Sequence, residues 1–192
     1  MRTVKAIKKK EKLNRMLRLI KEDGKIKEFT YCIIGLNTAL RVSDILALKW
    51  ENVFKNNKMK DTFDIQEKKT KKPKEIKINK TVKKALKELR EINPKDIFLF
   101  QSESNRVRKE KPWSRQYVNK FLKEYCLKAN IKQNIGSHSL RKTFGYFAFK
   151  SGVSLTNLSE IFNHSSQAIT RKYIGLTQDT LNSIYDKIQI GL

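Results

Sequence analysis

The chain has two histidines, and each opens a polar motif. His138 begins the run His138-Ser139-Leu140-Arg141-Lys142-Thr143-Phe144. His164 begins His164-Ser165-Ser166, and Tyr173 follows it nine positions on. Upstream, Arg41 and Asp44 sit within Thr38-Ala39-Leu40-Arg41-Val42-Ser43-Asp44-Ile45-Leu46, and lysines crowd the segment from Glu67 to Lys74. These are the residue types needed to cleave a phosphodiester with a side-chain nucleophile. A hydroxyl must attack, and a phenol of pKa about 10 serves both as nucleophile and as leaving group. The transition state gathers negative charge on the non-bridging oxygens, and Arg41 and Arg141 offer forked donors to them. The departing oxygen needs a proton, which a lysine of the basic segment can deliver. Histidines can bond the phosphate or carry the tyrosine's proton near neutral pH. Neither histidine has a third ligand at a suitable spacing, so no metal and no cofactor is expected.

Helices must hold most of these groups. A basic helix is expected over residues 8–22, with Leu13, Met16, Leu17 and Ile20 on its apolar face and Gly24 as its stop. A more buried one covers 25–37, and Ser43 is expected to cap a short helix through Leu48. Phe63 and Ile65, then Ile76 and Ile78, alternate with polar residues as in two strands, joined by the basic turn Glu67 to Lys74. Helical spacing returns over 80–91, with Val82, Ala85, Leu86 and Leu89 on one face. Ile97 to Phe100 is an apolar run of either type, and 101–112 is a polar loop. Further helices are expected from Ser114 to Ala129, Ser139 to Ser151, Ser154 to Phe162 and over 166–174. A last one is expected after Thr177, with Leu181, Ile184 and Ile188 inward.

The charge points to the partner. A net charge of +24 and a pI near 10.1 exceed what solubility needs. The phosphate backbone of nucleic acid is the natural counterpart. No apolar run approaches the roughly 20 residues of a spanning helix, and no strongly amphipathic helix with exposed aromatics argues for a membrane surface. Two cysteines without a CxxC pair exclude a disulfide scaffold and fit a reduced, cytoplasmic setting.

With its boxes and spacings in order, the chain resembles the catalytic domain of the tyrosine recombinase (phage integrase) family over about residues 12–190. That family shows a T-G-L-R-x-S-E-L-like first box, an H-x-L-R-x-T-F second box and a G-H-S-S box with tyrosine nine residues beyond its histidine. Arg41, His138, Arg141, His164 and Tyr173 fall on the matching positions. Ala39 and Asn163 stand where the family usually has glycine, and asparagine tolerates the left-handed backbone that such a glycine often takes.

The resemblance implies a mainly α fold with a small antiparallel β-sheet, the catalytic fold of DNA breaking-rejoining enzymes. It implies a single catalytic domain over residues 1–192, with the family's separate N-terminal DNA-binding domain absent or removed. It implies site-specific cleavage and rejoining of double-stranded DNA through a covalent 3′-phosphotyrosine on Tyr173, with neither ATP nor divalent metal. The hairpin general acid is best matched by Lys69, with Lys68, Lys71 and Lys72 as neighbours, while Asp44 orients its surroundings. Integration or excision of a mobile element is implied, by a nucleoid-associated tetramer on DNA, with room for accessory DNA-bending proteins. A type IB topoisomerase shares the chemistry but usually has lysine at the position of His138. A DNA-binding regulator with an idle site is the non-enzymatic alternative.

Overall fold

The computed structural model describes residues 3–66, 73–103 and 110–177, together with 182, 185, 186, 190 and 191. Helix α1 (Lys10–Glu22) buries Leu13, Met16 and Ile20, spaced by three and four along one stripe. It stops where Gly24 takes φ +68° and the Lys25 N–H reaches back to the Ile20 carbonyl. Helix α2 (Ile26–Thr38) is the central element, with Tyr31, Cys32 and Ile34 fully buried. It packs against α1, α5 (Lys80–Ile92) and α7 (Ser139–Lys150). A Cβ at Gly35 would lie 2.9 Å from Leu140 Cδ1, so the absence of a side chain there sets the close crossing of α2 and α7. On the far side, α6 (Arg115–Lys128) rests on α1, with Cys126 Sγ 3.4 Å from Met16 Sδ.

The chain between α2 and α5 differs from expectation in two places. Ser43 does not cap the short helix. Arg41 does, with extended backbone and a carbonyl that accepts the Asp44 and Ile45 N–H groups at 2.9 and 3.0 Å. Helix α3 (Val42–Leu46) then ends before Leu48: the Ala47 and Leu48 N–H groups bond carbonyls three residues back, and the Leu48 carbonyl accepts the Leu99 N–H at 3.0 Å. That contact belongs to a bridge between Lys49 and Phe98, which is what the ambiguous 97–100 run becomes. Sequence reading also passed over α4 (Trp50–Val53) and the hairpin of β1 (Phe54–Lys55) and β2 (Lys58–Met59). The turn signal was present: Asn56 and Asn57 both take positive φ, as a tight hairpin demands.

Strands β3 (Thr62–Gln66) and β4 (Pro73–Lys77) pair antiparallel, with Phe63 opposite Ile76, as the alternation predicts. The remaining helices follow their local signals. Asn79, Ser114 and Ser154 each accept a backbone N–H from inside the first turn of α5, α6 and α8 (Leu155–Phe162). Gly152 ends α7 with φ +93°. A second, smaller core gathers Ala39, Leu158, Phe162 and Ile174 where α7, α8 and α9 (Gln167–Ile174) meet. The N-terminal residues are tied down as well, although only their basic character was legible. Ile7 is fully buried and its N–H donates to Thr143 Oγ1 at 2.8 Å. The expected stripe Leu181, Ile184 and Ile188 lies outside the described residues.

Candidate active site

Two helix ends meet at this site. At the end of α8, Asn163 is left-handed (φ 52°, ψ 52°). The Asn163 N–H bonds the Glu160 carbonyl at 2.9 Å and the His164 N–H bonds the Ser159 carbonyl at 2.9 Å. This double return satisfies carbonyls that the helix end would otherwise leave open, and it throws the chain sharply outward at His164. The Phe162 carbonyl stays available at the negative end of the helix dipole. The other end is that of α2, where Ala39 is left-handed (φ 55°) and fully buried. Alanine can occupy that region only at a cost of roughly 1–2 kcal/mol, and the fold imposes it here.

Arg141, from the first turn of α7, joins these ends. It is 3% exposed. Its Nη1 donates to the Ala39 carbonyl, its Nη2 to the Phe162 carbonyl at 2.8 Å, and its guanidinium lies 4.8 Å from the Phe162 ring centroid. Arg41, half-buried at the start of α3, sends Nη2 to the same Phe162 carbonyl at 3.5 Å. Both arginines of the sequence motifs thus converge on one helix terminus.

His164 is fixed by hydrogen bonds. Its Nδ1 is 2.9 Å from Thr170 Oγ1, which is itself 2.9 Å from Ser159 Oγ. Ser159 Oγ donates to the Leu155 carbonyl at 2.7 Å, and Thr170 Oγ1 also donates to the Ser166 carbonyl at 3.3 Å. In the tautomer whose Nδ1–H donates to Thr170, Nε2 of His164 carries the lone pair. Tyr173, on α9, meets the His164 ring edge-to-face at 4.9 Å between centroids and the Phe162 ring at 5.4 Å. Ser166 caps α9 by accepting the Ile169 N–H, and Gly175 ends it with φ 72°, so the nucleophile candidate rides on a short helix fixed at both ends.

Burial raises the Tyr173 phenol above its ordinary pKa, while the charge and hydrogen bond of Arg141 and the charge of Arg41 pull it down. Burial lowers His164, helped by Arg141 and Arg41. Burial likewise lowers His138, which opens α7 one turn before Arg141 and feels Arg115, Arg141, Lys142 and Arg41. Both imidazoles are therefore held towards their neutral forms. Asp44 is buried in the first turn of α3, accepting from Ser43 Oγ at 3.3 Å. Lys69, with Lys68, Lys71 and Lys72, lies outside the described residues.

Sequence reading missed two residues here. Lys142 is 8% exposed, and its Nζ lies 4.9 Å from the Tyr173 ring centroid. Gly145 lies where a Cβ would be 2.5 Å from Phe162 Cζ and 2.6 Å from Ile174 Cγ2. Nothing in the sequence singled out Lys142 among so many lysines. A glycine inside an apolar helix was the available signal for Gly145.

The architecture is that of tyrosine recombinase catalytic domains. The chain belongs to the phage integrase family, matching it over residues 8–179. It is 35% identical to the probable integrase/recombinase YoeC of Bacillus subtilis (strain 168), over 96% of this chain and 97% of that protein. The crystal structure of XerA recombinase superposes with a TM-score of 0.76 at 18% identity, covering 100% of this chain and 66% of that one. XerH site-specific recombinase, bound to a palindromic difH substrate after cleavage, superposes with a TM-score of 0.72 at 20% identity over 94% of this chain and 52% of that one. The chain thus spans about half to two thirds of the solved chains it matches.

Proposed function

We propose that this chain cuts and rejoins double-stranded DNA at specific sites through a covalent 3′-phosphotyrosine on Tyr173. The observation that carries this reading is the convergence of Arg41 and Arg141 on the Phe162 carbonyl, with His164 and Tyr173 packed against the same ring. A phosphate entering beside Tyr173 meets two guanidiniums already held in place, so little reorganisation accompanies charge development. Tyr173 Oη attacks phosphorus and its proton passes to neutral His164. The bond from phosphorus to the 5′-oxygen breaks, and that oxygen takes a proton from Lys69. His138 bonds a non-bridging oxygen. Rejoining reverses these steps, with the phenolate as leaving group and the ester conserving the energy of the broken bond. Every role is filled by a side chain, so neither ATP nor a metal enters, and excess chelator is expected to leave cleavage unchanged.

The net charge of +24 supports backbone binding, which steers association and falls with salt. Assembly as a tetramer on DNA, with accessory bending proteins, completes the proposal for recombination at the ends of a mobile element. A nicked suicide substrate tests the chemistry. Wild type accumulates a covalent protein–DNA band and Tyr173→Phe does not, while DNA affinity is retained. Equal covalent yield from Tyr173→Phe refutes the assignment.

A further inference from the structure

The geometry points to Lys142 as the residue that positions the Tyr173 ring and biases its hydroxyl towards phenolate. This rests on the reading of Tyr173 as nucleophile. Lysine is almost never this deeply buried without a partner, and its stem is usually laid on the surface with the ammonium in water. Here only 8% of Lys142 is exposed, and its ammonium is directed at an aromatic face 4.9 Å away. That distance is within the range of a cation–π contact, which strengthens when desolvated and strengthens again when the ring carries a negative oxygen.

The setting favours this use. Lys142 and Tyr173 line a groove of about 710 Å³ together with the N-terminal segment from Thr3 to Lys9. Lys8 holds that segment in place by donating to the Gly175 carbonyl at 2.6 Å, immediately after α9. The charged groups about the phenol are Arg41, Arg141 and Lys142, with the neutral His164 beside it; Lys5, Lys8, Lys9, Lys12, Lys132 and Lys172 also line the groove, and no carboxylate lines it among the described residues. Arg141 approaches the hydroxyl end through its hydrogen bond, whereas Lys142 covers the ring. The two cations therefore act on different parts of one side chain. Burial raises Tyr173 and lowers Lys142, so an ammonium beside a forming phenolate offsets a cost that burial imposes on each. Lys142 exchanges no proton in this role. It holds the ring at the angle of attack and stabilises the phenolate, both when Oη attacks and when it departs on rejoining.

The test is single-turnover cleavage across a pH series, with protein saturating over a suicide substrate whose scissile 5′-oxygen is replaced by sulfur. Sulfur leaves without a proton, so the general acid drops out and the alkaline limb reports the nucleophile. Lys142→Met is expected to slow cleavage roughly 3- to 30-fold. It is also expected to move that limb upward by about half to one and a half pH units. Lys142→Arg keeps a cation over the ring and is expected to restore the limb. Lys142→Gln serves in place of Met if circular dichroism shows the Met variant misfolded. An unshifted limb in the neutral variant overturns the inference whether or not the rate falls, because lost packing alone slows cleavage without moving the phenol's titration. Tyr173→Phe is run in parallel. A covalent band that persists there refutes the nucleophile assignment and this inference with it. A band that vanishes there, with an unshifted limb in Lys142→Met, refutes the role of Lys142 alone.

Discussion

Gly145→Ala adds one methyl group and is expected to damage activity far more than stability. The new Cβ would lie 2.5 Å from Phe162 Cζ, 2.7 Å from Phe162 Cε2 and 2.6 Å from Ile174 Cγ2. Ordinary carbon–carbon contact is about 3.5–4.0 Å, so α7 and the α8–α9 pair must separate locally by about 1 Å. Overpacking of this kind costs roughly 1–3 kcal/mol. Replacing glycine by alanine inside a helix returns about 1 kcal/mol. The net loss is therefore about 0–2 kcal/mol, a few degrees in Tm for a chain of this size. The atoms that must move are different in kind from ordinary core. Phe162 supports the Arg141 guanidinium and the Tyr173 ring, and Ile174 adjoins Tyr173 on α9. A displacement of about 1 Å at a reacting group can lower the rate by about 10²-fold. The assay pairs a thermal melt with single-turnover cleavage of the suicide substrate. Cleavage within about tenfold of wild type, less than about 1.4 kcal/mol, with Tm within a few degrees, would show that the second core absorbs the methyl without transmitting it.

Other outcomes follow from the same geometry. Arg141→Ala removes the proposed phosphate donor and leaves the Ala39 carbonyl without this donor, so single-turnover cleavage is expected to fall by roughly 10²–10³. A denaturant melt should also show a loss of about 1–3 kcal/mol, and full activity would refute the clamp. Asn163→Ala forces an ordinary residue into the left-handed turn that presents His164 and is expected to lower stability by about 1 kcal/mol. Asn163→Gly is expected not to, and equal melting temperatures for the two would refute the strain argument. His138 and His164 are both held below their ordinary pKa of about 6.5, so the unfolded chain takes up protons first as pH falls. Their contribution to stability is complete above the unfolded pKa and is lost as pH drops below it. The denaturant midpoint should fall through that window, and a His138→Gln/His164→Gln double variant should flatten the fall. An equal slope in that variant would contradict the shifts.

How much was legible in advance varies with the range of the interaction. Helix ends were readable because they are local. Ser114 and Ser154 cap with their own side chains, and Gly24, Gly152 and Asn163 take left-handed backbone that few residues tolerate. The short helix after Arg41 was legible, but its cap and its end each fall two residues earlier than expected, at Arg41 and Leu46, before the chain pairs Leu48 with Leu99. Lys69 could be nominated from the sequence, and it lies outside the described residues.

The sequence by itself determined the candidates for the chemistry, because the chain's two histidines stand with Arg41, Arg141 and Tyr173 at telling intervals. It also determined most of the helices, since a spacing of three and four residues creates an apolar stripe wherever that stripe is eventually buried. Only the tertiary structure decided what those residues face. Arg141 lies 102 positions from Ala39 and 21 from Phe162, yet its guanidinium joins the carbonyls of both. Lys142 reads as one lysine among many until α7 packs beside α9 and turns its ammonium onto the Tyr173 ring. The physical reason is that periodicity reports the faces of one element at a time. A free carbonyl at a helix end, or an aromatic face across a groove, belongs to another element, and it becomes a partner only once packing has brought the two together.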